Sequence, residues 1–203
     1  YFISTCFVLL LFSDAVAADE SVLPRGDSPP SLTSEHFPDR VYAFVWRNWN
    51  AVAPTKLAAI LGTSVENVEA LAASMGLPLS ATVQPEMTTR GYITLIRRNW
   101  HLLPYEQLLE LLEMTPEQIA FSLREDDFLW IKLGQAKPKC EPLRYRPPEE
   151  VARRRAAEIR QIVDEVFGDE LGRPVEPRFE FVRQLGSPLP QSERATAESD
   201  EHP

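Results

Sequence analysis

Cysteine, histidine and glycine are all scarce in this chain. Cys6 and Cys140 are its two cysteines. Cys6 lies in a stretch expected to be removed on export, which leaves Cys140 alone and excludes an intramolecular disulfide. No histidine lies near Cys140 in sequence, so its run, Lys137-Pro138-Lys139-Cys140-Glu141-Pro142, reads as a connector rather than as a nucleophile's setting. The three histidines, His36, His101 and His202, are scattered and have no metal-ligand spacing. Among the eight glycines there is neither a Gly-rich phosphate loop nor a G-x-S-x-G turn. No cofactor, metal or catalytic set is expected.

An excess of basic charge is missing too. The formal net charge is -9, and residues 39–148 carry twelve basic and twelve acidic residues, so the acidity sits in the flanks. A protein that grips a phosphate backbone usually needs the opposite balance. Long apolar runs are also absent. The longest, Ile3-Ser4-Thr5-Cys6-Phe7-Val8-Leu9-Leu10-Leu11-Phe12, has about ten residues, too few to cross a bilayer core of about 30 Å as a helix. No stable membrane anchor is expected.

That short run has another reading. Ala15-Val16-Ala17 follows it as an A-x-A processing pattern, and polar sequence comes next. Residues 1–17 are therefore expected to be a signal peptide, and the chain to be secreted or periplasmic. The sequence opens at Tyr1 without the basic n-region, as a fragment of a longer precursor would. Residues 18–38 are acidic and rich in Ser and Pro, which predicts a disordered linker. Twelve of the eighteen prolines cluster at 24–38, 137–148 and 174–190, marking connectors.

The strongest internal signal is self-similarity at an offset of 51 residues. Arg47-Asn48-Trp49 matches Arg98-Asn99-Trp100, Leu57 matches Leu108, Leu61 matches Leu112, Glu66 matches Glu117 and Val68 matches Ile119. Each copy opens with a β-branched and aromatic stretch, Val41–Trp46 and Tyr92–Ile96, which reads as a short strand, although period alone leaves a helix open. Helices over about 54–61 and 104–112 follow, each with a proline at its start. Second helices are expected after Thr63-Ser64-Val65-Glu66 and Thr115-Pro116-Glu117-Gln118, both of which fit a capping box. The fold class is thus mainly α: a tandem duplication (about 40–77 and 91–134, within a module of 39–146) of a short strand plus a helix-turn-helix-like unit. Residues 147–168 read as an amphipathic connecting helix with Ala152, Ala156, Ile159, Val163 and Val166 as its apolar stripe. The remainder, 169–203, reads as the start of a truncated downstream domain or a disordered tail, with a strand at Arg178–Val182.

Leu57-Ala58-Ala59-Ile60-Leu61-Gly62-Thr63-Ser64 has the cadence of a DNA-binding helix-turn-helix. The helix that would read bases carries two glutamates and no Lys or Arg between Glu66 and Met75, so the likeness is one of shape. Glu125-Asp126-Asp127 invites a paired-carboxylate reading, but adjacent acids on one segment usually point apart. Trp49 and Trp100 read as core. Arg47, Asn48, Arg98, Asn99 and Asp126 are the candidates for ligand binding, set against a structural role at helix ends.

Residues 40–146, with Arg40–Trp49, Arg98-Asn99-Trp100-His101-Leu102-Leu103-Pro104-Tyr105 and Arg124-Glu125-Asp126-Asp127-Phe128-Leu129, resemble an N-terminal module of large secreted bacterial proteins that are similar to glycoside hydrolases. The resemblance implies a carbohydrate-active setting, with any catalytic domain downstream on the same polypeptide, and carries no catalytic residue onto this chain. The expected function is a non-catalytic accessory module that positions the following domain or binds a glycan or another protein. The alternatives are a helix-turn-helix nucleic-acid binder and part of a glycoside hydrolase whose catalysis lies elsewhere.

Overall fold

The computed structural model of the chain describes residues 20–79, 83, 87, 91–173 and 180–186. Residues 1–17, where a signal peptide is expected, and the tail 187–203 lie outside the described residues. The chain divides into two compact units, 1–171 and 172–203. Among the described residues it is mainly helical. No strand occurs there, only an isolated parallel bridge between Pro30 and Lys139.

In the first unit the helices are α1 (Arg40–Asn48), α2 (Pro54–Leu61), α3 (Val65–Ser74), α4 (Tyr92–Asn99), α5 (Tyr105–Leu112), α6 (Pro116–Glu125), the short α7 (Leu129–Lys132) and α8 (Glu150–Phe167). The strands expected over 41–46 and 92–97 are therefore helices. Asp39 starts α1, its Oδ1 accepting the N–H groups of Val41 and Tyr42 at 2.8 and 3.1 Å. The buried residues Phe44, Val45 and Asn48 then recur at helical spacing, as do Leu95, Ile96 and Asn99 in α4. A β-branched residue loses only tenths of a kcal/mol in a helix, whereas burying a large apolar side chain is worth about 1.5–3 kcal/mol. Continuing the helix to Asn48 and Asn99 lets each buried face run on to the core tryptophan behind it, so burial outweighs local preference.

The later helices begin and end by recognisable devices. Pro54 occupies the first turn of α2, and Gly62 closes it in the left-handed region at φ 64°. Glu113 closes α5 in the same conformation, at φ 54°, 51 positions later. Thr115 and Gln118 form the capping box of α6. In the first half the cap falls one residue later than expected. Ser64, not Thr63, receives the N–H of Asn67, while Thr63 Oγ1 accepts from the Asn67 amide at 2.9 Å.

Trp49, Trp100, Phe44, Leu57, Ile60, Leu108 and Ile119 are among the largest fully buried side chains. α8 lies on α3, buries Ala156, Ile159 and Val163, and leaves Val166 exposed, so the expected apolar stripe stops a turn early. Where composition suggested an unstructured linker, residues 20–38 are laid along the helices. Lys137 and Lys139 donate their N–H groups to Arg25 O and Pro29 O at 2.7 and 2.8 Å, and Leu23 is buried. Backbone bonds and one anchoring leucine order this segment despite its polarity.

In the second unit, Glu180–Gly186 forms the helix α9. The strand expected at Arg178–Val182 is thus helical from Glu180 onward, and Arg178 and Phe179 lie outside the described residues. Phe181, Val182 and Leu185 are exposed on α9. A short apolar alternation carries little information about period, and Phe181 and Leu185 share a face at four-residue spacing.

Candidate functional site

Four of the five candidate binding residues come together. Asn48 and Asn99 end α1 and α4, and both are fully buried. Asn48 Nδ2 donates to Asn99 Oδ1 at 2.9 Å, and Asn99 Nδ2 donates to Asn48 Oδ1 at 2.8 Å. Each amide donates its second N–H to the carbonyl four residues back, Phe44 O at 2.8 Å and Leu95 O at 2.9 Å. The flanking arginines repeat the exchange at the surface. Arg47 Nη1 donates to Arg98 O at 3.2 Å, and Arg98 Nη1 donates to Arg47 O at 2.9 Å. These residues bond one another across the seam, which is the structural alternative raised for them.

Asp126, the fifth candidate, is elsewhere. Its Oδ2 accepts the Tyr92 hydroxyl at 2.9 Å, joining the end of α6 to the start of α4. That hydrogen bond, followed by burial, pushes the Tyr92 hydroxyl above its usual range. Asp127 turns to Lys132 at 2.7 Å, a hydrogen-bonded ion pair that lowers its carboxyl, and Glu125 is exposed. The acidic run divides among different partners and does not converge on one point. Among the described residues no group of three or more His, Cys, Asp or Glu could hold a metal ion.

Two polar residues in the core were not singled out from the sequence. Lys137 Nζ donates to Trp100 O at 2.9 Å and Leu103 O at 2.8 Å, and sits 5.0 Å from the Trp100 ring centre. It supplies donors to carbonyls of the turn between α4 and α5, and burial pushes its ammonium below the ordinary lysine range. Nothing in the proline-rich connector signalled this role. Gln107 is the second. Its Nε2 donates to Ile60 O and Leu143 O at 2.9 and 2.8 Å, and its Oε1 accepts from Leu143 N at 2.7 Å. A signal for it existed, since a glutamine four residues before Leu111 falls on the apolar face of α5.

Among the described residues there is a cleft of about 580 Å³, within the size range of small-molecule sites. One wall is the 31–38 segment, the other is 142–146, and the first turn of α1 lies between them. Arg40 lines it. Nη2 of Arg40 donates to Leu102 O and to Glu141 O, the latter at 3.1 Å. Nε of Arg40 is buried with no acceptor among the described residues. Leu143 is buried behind the far wall, and the Tyr145 N–H donates to Leu61 O at 2.9 Å, so the intervening Arg144 and the following Arg146 are the exposed members of that stretch.

No family model matches the chain, and neither a curated protein nor a solved structure matches it. None of the described helices is long and apolar enough to cross a membrane.

Proposed function

We propose that the first unit is a non-catalytic accessory module of a secreted carbohydrate-active protein, made of two copies of one three-helix unit, that presents a surface to a glycan or another protein. One observation carries the non-catalytic part. The polar groups that could have converged on a substrate bond to one another or to helix ends, as in the Asn48–Asn99 pair and the divergent Asp126 and Asp127. A catalytic acid and base must reach one substrate position. The duplication is supported by the bonds that recur 51 residues apart, and it takes a helix in place of the strand expected at the head of each copy. The secreted setting rests on the Ile3–Ala17 pattern, and the carbohydrate setting on the sequence resemblance.

Purified chain incubated with a broad panel of aryl glycosides tests the reading, and no turnover is expected. Turnover abolished by Glu125→Gln or Asp126→Asn would overturn it. A helix-turn-helix reader of nucleic acid is the weaker reading, because α3 presents Glu66 and Glu69, carries no base-reading cation, and lies against α8.

A further inference from the structure

We infer that the cleft between 31–38 and 142–146 binds a carboxylated saccharide, with Arg144 and Arg146 as the carboxylate-binding residues and Arg40 as a fixed positive charge at its base. This inference rests on the accessory-module reading and adds the chemistry of the ligand.

The cleft exists because two extended segments part company. They meet at the Pro30–Lys139 bridge and then separate, leaving the head of α1 between them. On the far wall the backbone is pinned at both inward positions. Leu143 is held by Gln107 in both directions, and Tyr145 by Leu61. Alternation along an extended chain then places Arg144 and Arg146 on the same outer face, about 6.6 Å apart along the backbone. Two guanidiniums carried side by side on a backbone held in this way suit planar anions, which they bind bidentately.

The charge around the cleft runs against that of the chain. The protein carries a net -9, yet Arg40, Arg144 and Arg146 face two acids, Glu35 and Asp39, in the lining. Asp39 is committed to the N–H groups of Val41 and Tyr42 in the first turn of α1. Glu35 accepts the Thr33 hydroxyl at 3.4 Å and lies exposed at the mouth. Among the described residues, none of the three arginines makes an ion pair. Among the described residues Arg40 is met by the carbonyl dipoles of Leu102 and Glu141, and its Nε has no acceptor. An anion in the cleft would offset that charge.

The remaining lining favours a sugar over an acidic peptide. Ser31, Thr33 and Ser34 offer hydroxyls along the near wall, and half-buried Phe37 offers an apolar surface. A pyranose ring carries both hydroxyls and an apolar face, and a carboxylate on it completes the match.

The test titrates the whole chain with oligogalacturonate, its methyl ester, a neutral oligoglucoside, dextran sulfate and polyglutamate. Oligogalacturonate is expected to bind about tenfold tighter than its methyl ester. Arg144→Ala/Arg146→Ala should weaken that binding by about tenfold without shifting the unfolding temperature, and the double lysine variant should restore part of it. Equal binding of acid and ester, binding insensitive to the alanine pair, or tighter binding of polyglutamate or dextran sulfate would each overturn the inference. The neutral oligoglucoside separates the two levels: if it alone binds, the anionic ligand is wrong and the accessory module stands, whereas glycoside turnover removes the module reading itself.

Discussion

Each asparagine amide at the seam uses both of its N–H groups, one on its own helix and one on its partner, and both side chains are excluded from water. Truncating one strands the other. Asn48→Ala is expected to cost about 2–3 kcal/mol, because a buried amide left without its partner retains its desolvation penalty. Adding Asn99→Ala should cost less than the single changes sum to, with a coupling of about 0.5–3 kcal/mol in a double-mutant cycle followed by urea unfolding. Strict additivity would show that the pair acts as two separate caps. His101 carries a second residue-scale prediction. Its Nδ1 accepts the Leu32 N–H at 3.3 Å, which requires that nitrogen to be unprotonated. Burial, then the charges of Lys137 and Arg47, hold the imidazole below the usual histidine range. The unfolded chain therefore binds this proton more readily than the folded one. The stability involved is fully present above the ordinary histidine value and is lost as pH falls through the lowered folded one. NMR titration should place His101 below free histidine, with the Leu32 amide shift following it. A His101 that titrates at or above the free value would remove the argument.

At the scale of elements, boundaries follow from a few local devices. Gly76 ends the α3 turn at φ 82°, and a Cβ there would lie 3.2 Å from Val163 Cγ1 and 3.3 Å from Arg160 Cγ on α8. Gly76→Ala combines a left-handed backbone with a crowded helix contact, and is expected to cost about 1–3 kcal/mol. Hydrogen exchange should quicken along α8 around Ala156–Val163 before it does in α4 and α5; uniform protection would mean that α8 adjusts freely. These devices differ in how far they could be read in advance. The Pro54 start, the Thr115 capping box and the long amphipathic helix are local, and they appear where the sequence placed them within a residue or so. The heads of the two halves were misread because Val41–Trp46 and Tyr92–Ile96 are short runs of residues that suit either period.

For the whole molecule, the offset of 51 residues becomes a relation in space. The reciprocal bonds of Asn48 and Asn99, and of Arg47 and Arg98, both span that separation. So do the left-handed caps at Gly62 and Glu113. If the halves are copies, an experimental structure will superpose 41–72 on 92–123 with Trp49 and Trp100 in equivalent places. Trp49 Nε1 already donates to Pro78 O and Trp100 Nε1 to Ala136 O, at 2.8 and 2.9 Å, each reaching the chain beyond its own half's third helix. Backbone traces that diverge after Asn48 and Asn99 would sink the idea.

Sequence alone determined the mainly helical character, the core tryptophans, the internal offset and the helix ends, because caps, proline starts and apolar spacing act within a few residues of themselves. Tertiary structure decided the rest. Whether Val41–Trp46 coils or extends depends on what its face is buried against, and those partners, α3 and α4, lie well outside the run itself. The seam asparagines, the buried Lys137 and the charged cleft arise from contacts between segments 34 to 101 residues apart. A local pattern holds no record of those distances, since the free energy that selects them comes from burial and from satisfying polar groups only after the helices have met.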